Sequence, residues 1–145
     1  MTTSYAGEMP VTASSLAVRG VVALGVAVFF LAAWVATIVV PYLVNDLHTL
    51  PLEEVAGGGH DPKDLWPATE GWGVLARLGG ILTLTAGPLL VLAAGGWAVT
   101  CLVVRRRVLD GLARTLLVAA VVVAVTFLTS FFSPFGMALS TWIAD

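Results

Sequence analysis

His48 and His60 are the two histidines of the chain, and they fall in one stretch with Asp46, Glu53, Glu54 and Asp61. Imidazoles among carboxylates can supply a zinc site or a proton-transfer site, and beside a hydroxyl they can activate a nucleophile. A zinc site wants three or four ligands at supportive spacing, and the spacing here matches no ligand motif. Histidines and acids in a polar loop are most often simply solvated. His48, His60, Asp46 and Asp61 therefore stand as a candidate outer-face site, with no metal and no catalytic residue assigned.

Thr126, Thr129, Ser130 and Ser133 fall at i, i+3, i+4 and i+7, which aligns four hydroxyls along one helical stripe. Interhelical hydrogen bonds are the expected use of that stripe, and lining a polar pathway is the sharper alternative. Ser and Thr also bond the carbonyls of their own helix with no further role. His48 or His60 would have to reach Ser130 or Ser133 to build a hydrolase, and no glycine-elbow motif accompanies them. Gly57, Gly58 and Gly59 are not followed by Gly-Lys-Ser/Thr, so they make no phosphate loop. A lone Cys101 excludes an internal disulfide, a paired-thiol redox site and a cysteine-rich zinc site. Both histidines lie outside the apolar stretches, which argues against haem held within a bilayer. No cofactor is expected.

The elements that would position these residues are set by composition. With 59% hydrophobic and 11% charged residues and a mean hydropathy of +0.98, the chain is far from the roughly 25% charged residues of a soluble domain. The class is all-α, an integral membrane protein with three transmembrane helices, a structured acidic outer loop and a short C-terminal interfacial helix. The spans are expected over about 20–44, 78–104 and 112–132, with the outer loop at 45–73. Residues 1–15 read as a flexible cytoplasmic tail, and 16–145 as a single membrane domain. The first apolar run is too long for the 7–15 residues of a signal peptide's core, so it is expected to be retained, with Pro41 ending or kinking it.

In the outer loop, Pro51 followed by Glu53 and Glu54 and then by glycines predicts a short helix. Asp61 before Pro62 predicts a second helical turn with Asp61 as its cap. Trp66 and Trp72 are expected at headgroup level. Gly79, Thr83 and Gly87 recur every fourth residue and predict a groove for close helix packing, with Pro88 as the bend site. After Pro134, residues Phe135, Ala138, Leu139, Trp142 and Ile143 share one face of a terminal helix.

Arg105, Arg106 and Arg107, with Arg114, crowd the short connection between the second and third apolar runs, whereas six acids crowd the loop before the second. The excess of arginine places that connection in the cytoplasm, the N-terminus inside and the C-terminus outside. Arg77 opposes this weakly and can snorkel to the interface. The arginine run is also suited to anionic lipid headgroups. A net charge of -2 with this asymmetry gives no reason to expect a nucleic-acid partner. Six Arg against one Lys, with abundant Ala, Val, Gly and Leu, resembles the coding bias of a GC-rich bacterium, whose plasma membrane is the expected location.

Ionisable groups deep inside the spans, which transporters and proton relays use, are lacking. The expected function is a non-catalytic membrane protein, an accessory or structural subunit that packs against lipids and against another membrane protein or its own copies. An outer-face enzyme or metal site, and an oligomeric pore lined by the hydroxyl stripe, are the alternatives.

Overall fold

The computed structural model describes residues 13–144, and 80% of the chain is helical, with no strand among the described residues. Three helices are long and apolar enough to cross a membrane: Ser15–Val44, Gly87–Val104 and Gly111–Phe131, of 30, 18 and 21 residues. The tail expected over 1–15 lies largely outside the described residues, and helix α1 (Ala13–Trp34) begins before its predicted end. From α1 the chain passes through one wide π turn at Val35–Val39 into α2 (Val40–Val44). Pro41 sits in the first turn of α2 and does not end the span. A proline lacks an N–H and its ring crowds the carbonyl four residues back, here that of Thr37, so the helix widens just before it and then continues.

The second long segment also departs from expectation. It starts earlier, at Gly73 rather than 78, and is divided into α4 (Gly73–Thr85) and α5 (Gly87–Val104) at Ala86, two residues before the expected bend site Pro88. Pro88 lies in the first turn of α5, where its missing N–H deprives the Leu84 carbonyl of its usual donor. The Thr85 hydroxyl donates to Ile81 (2.8 Å) instead, so it does not replace that bond. A tight turn carrying the arginines then leads to α6 (Gly111–Phe131). Asp110 caps α6 by accepting from the Ala113 N–H at 2.7 Å.

Helices α1, α5 and α6 pack on one another as a three-helix bundle. Its core has two layers. Leu16, Ala23, Ala98, Cys101, Ala113, Leu117 and Ala120 form the layer at the arginine end. Ala27, Phe30, Trp34, Val91, Ala124, Phe127 and Phe131 begin the other, which continues through Ile38 and Tyr42 into a head built on the loop side. The alanines and glycines between the bulky residues let backbones approach, which is how helices gain packing energy in lipid, where apolar burial alone drives nothing.

The head combines the π turn, α2, the outer loop, α4 and α7 (Pro134–Ala144). The loop carries α3 (Leu52–Ala56) and a 3₁₀ turn at Pro62–Asp64, as its prolines and acids imply. Gly58, with φ 77°, takes the left-handed conformation that turns the chain after α3. Leu47 and Val55 are buried together with Leu139 and Trp142 of α7. The apolar face foreseen for the terminal helix is thus turned onto α3 and the π turn.

Candidate functional site

The loop is held in place by one amide. Asn45 Nδ2 donates to the carbonyls of Pro41 (2.7 Å) and Trp66 (2.8 Å), and its Oδ1 accepts from the Trp66 N–H (3.1 Å). The end of the first span is so joined to the middle of the loop. Trp66 precedes a cis proline, Pro67, and stands edge-to-face with Trp72, ring centroids 5.2 Å apart. From the other side, Trp142 Nε1 of α7 donates to the His60 carbonyl at 2.8 Å.

The four loop residues singled out above sit in two short turns of this loop. His48 is exposed in the 3₁₀ turn Leu47–Thr49. His60 is half-buried against α7, and its Nδ1, like Trp34 Nε1 in the core, is buried without a hydrogen-bond partner among the described residues. Asp46 takes a left-handed conformation (φ 56°), and its carbonyl accepts from the Thr49 hydroxyl. Asp61 caps the Pro62 turn through the Lys63 N–H (2.9 Å) and pairs with Lys63 Nζ (3.1 Å). Those hydrogen bonds, backbone first, hold its carboxyl below the ordinary carboxylate range. The lowered value means that this contact favours the fold above that range and is lost as the pH falls through the folded-state value. Among the described residues, no three His, Cys, Asp or Glu side chains gather as a metal site.

The hydroxyl stripe does not reach across helices as expected. Thr126 donates to Val122 and Thr129 to Val125, each within α6, because a threonine hydroxyl in a helix already has a carbonyl one turn back. Ser133 acts at the next helix instead, where its Oγ accepts from the Gly136 N–H at 3.0 Å and caps α7.

The small-residue series is occupied within the chain. A Cβ built on Gly79 would stand 3.2 Å from Thr37 Cγ2, and one on Gly87 3.1 Å from Phe30 Cδ1, so the first span lies in that groove. Thr83 is 1% exposed between them. Beyond Pro88 a second close approach falls at Gly95, where a Cβ would meet Ala124 of α6 at 2.9 Å. Gly95 stands two four-residue steps beyond Gly87, with Val91 between them, and is visible in the sequence once the bend at Pro88 is allowed for. Arg105, Arg106, Arg107 and Arg114 are all exposed around the α5–α6 connection.

Where the π turn, the cis-proline loop, α4 and α7 meet, a cleft of about 40 Å³ remains. Its floor is made by Gly73, Ala76 and Gly80, small residues that keep α4 close to the loop and to α7. Arg77 brings the charge to its wall.

The class defined by this architecture is an all-helical protein with three helices long and apolar enough to cross a membrane. Comparison with protein-family models, curated proteins and solved structures finds no match to this chain.

Proposed function

We propose that the protein works by association, as a small accessory or structural subunit of a bacterial plasma membrane that packs against another membrane protein or its own copies. The observation that carries this reading is how the chain distributes its polar and small groups. Among the described residues, Thr83 is the one hydroxyl-bearing aliphatic side chain buried in the core, and it donates to Gly79 in its own helix. Chemistry-bearing side chains are dispersed, while small residues stay open on the outside of the bundle. Gly96 of α5 has nothing within 4 Å of where a Cβ would stand, and Ala93 and Thr100 on the same side are exposed. A face of that kind lets another helix approach closely.

The test pairs complementation of a deletion strain with copurification in mild detergent. Gly96→Leu should leave the melting temperature unchanged, because space is open there, yet abolish activity and partner recovery. His48→Ala should leave both intact. Loss of activity in His48→Ala with normal melting and copurification would replace the subunit reading with an outer-face enzyme or metal site.

The arginine excess supports placing Arg105–Arg107 in the cytoplasm and the head outside. An outward-active reporter is expected to work when fused at Asp145 and to fail when fused after Arg107. The opposite pattern would reverse the orientation.

A further inference from the structure

We propose that the cleft beside Arg77 holds the headgroup of a phospholipid with a primary ammonium, its phosphate on Arg77 and its aminoethyl arm inside; this rests on the reading that the chain spans a membrane. Val74, Arg77, Leu78 and Ile81 stand at i, i+3, i+4 and i+7 on one exposed face of α4, with Val74 71% and Leu78 59% exposed. One guanidinium among exposed apolar side chains is the surface of a helix that meets lipid at headgroup depth. Among the described residues no carboxylate lies within ion-pairing distance of Arg77, and Asp61, which senses its charge, is engaged by Lys63. A guanidinium matches phosphate oxygens with two parallel N–H donors, and a phospholipid supplies that phosphate.

The interior of the cleft asks for the opposite charge. Two indoles, Trp66 and Trp142, line it together with Pro62 and Pro67, and indole is the aromatic surface most attractive to a cation. The Thr37 hydroxyl, also in the lining, already donates its proton to the Ala33 carbonyl at 2.7 Å, so it offers lone pairs to a donor. A volume of about 40 Å³ accommodates about three water-sized groups, which matches the two carbons and one nitrogen of an aminoethyl arm. A trimethylated arm has no N–H to donate to the Thr37 oxygen. A glycerol headgroup would bring no cation to the indoles. Acyl chains have the open apolar face of α4 to lie along, which favours a lipid over a soluble phosphate ester.

The full chain in mild detergent, exposed to an equimolar mixture of dioleoyl phosphatidylethanolamine, phosphatidylglycerol and phosphatidylcholine, is read by native mass spectrometry. The ethanolamine lipid should be retained about tenfold over the other two, the size of one good charge-assisted contact. Arg77→Gln, which removes the phosphate contact that the three lipids share, should lower retention of all three several-fold, and Arg107→Gln should leave it unchanged. Ala76→Leu, which fills the floor, should abolish the preference without changing binding of the other two lipids. Equal retention of the three lipids, preference for the glycerol headgroup, or unchanged lipid retention in Arg77→Gln would overturn the headgroup site alone. Recovery of the chain in the soluble fraction after a carbonate wash would overturn the membrane reading and this proposal with it.

Discussion

Gly136→Ala should destabilise the protein by about 3 kcal/mol and release α7 from the head, the cost of forcing a methyl group into a packed site that cannot yield. By helix propensity alone the change should stabilise, since alanine is the better helix former by about 1 kcal/mol. The reversal comes from what surrounds the position. A Cβ on Gly136 would run into the backbone carbonyls of Ser130 and Phe131, where α6 ends and the chain turns into α7. Backbone atoms at a helix terminus cannot rotate away as a long side chain can. Gly96→Ala is the control, because open space surrounds that Cβ position, and its melting temperature should hold or rise. Thermal unfolding in detergent decides it, and equal melting of Gly136→Ala and Gly96→Ala would refute the close approach.

Asn45→Ala should cost about 2–3 kcal/mol, because it strands the Trp66 N–H and carbonyl and removes a second donor to the Pro41 carbonyl. The damage should be local. With the clamp gone, the loop is expected to open to protease between Gly57 and Trp72 while the bundle of α1, α5 and α6 stays intact. Asn45→Asp is informative beside it: a carboxylate still accepts from the Trp66 N–H but places charge against two carbonyls it can no longer satisfy. Both variants should therefore be nicked faster than the parent. Unchanged cleavage rates in both would show that the clamp does not hold the loop.

Much of the fold was legible because its signals are local. Long uncharged runs reveal spans, Asp61-Pro62 reveals a capped turn, and the i, i+3, i+4 pattern after Pro134 reveals the face of α7. What stayed hidden depends on which elements meet. The series Gly79, Thr83 and Gly87 marks a surface with room for a close neighbour, but spacing does not say whether that neighbour is another protein or this chain's own Thr37 and Phe30. The hydroxyls of Thr126 and Thr129 carry the same ambiguity, since a stripe facing a neighbouring helix and one bonded to its own carbonyls have identical sequences. Asn45 and the His60 carbonyl gave no signal, because their partners lie 21 and 82 residues away. The cleft escaped for the same reason: its walls come from four separate parts of the chain.

The π turn at Val35–Val39 sets the angular phase of everything beyond it. An α-helix advances about 100° per residue, so the additional residue accommodated by the wide turn swings the following side chains by roughly that amount. Before the turn, Ala23, Ala27 and Phe30 address the bundle. After it, Thr37 meets Gly79 and Gly80 of α4, and Tyr42 meets Phe135 of α7 at 5.5 Å between ring centroids. Deleting the exposed Ala36 from this turn would straighten the rod while removing no buried side chain. It would also put the head out of step with the bundle, so the length of this one turn keeps the two halves of the first span in phase with their separate partners.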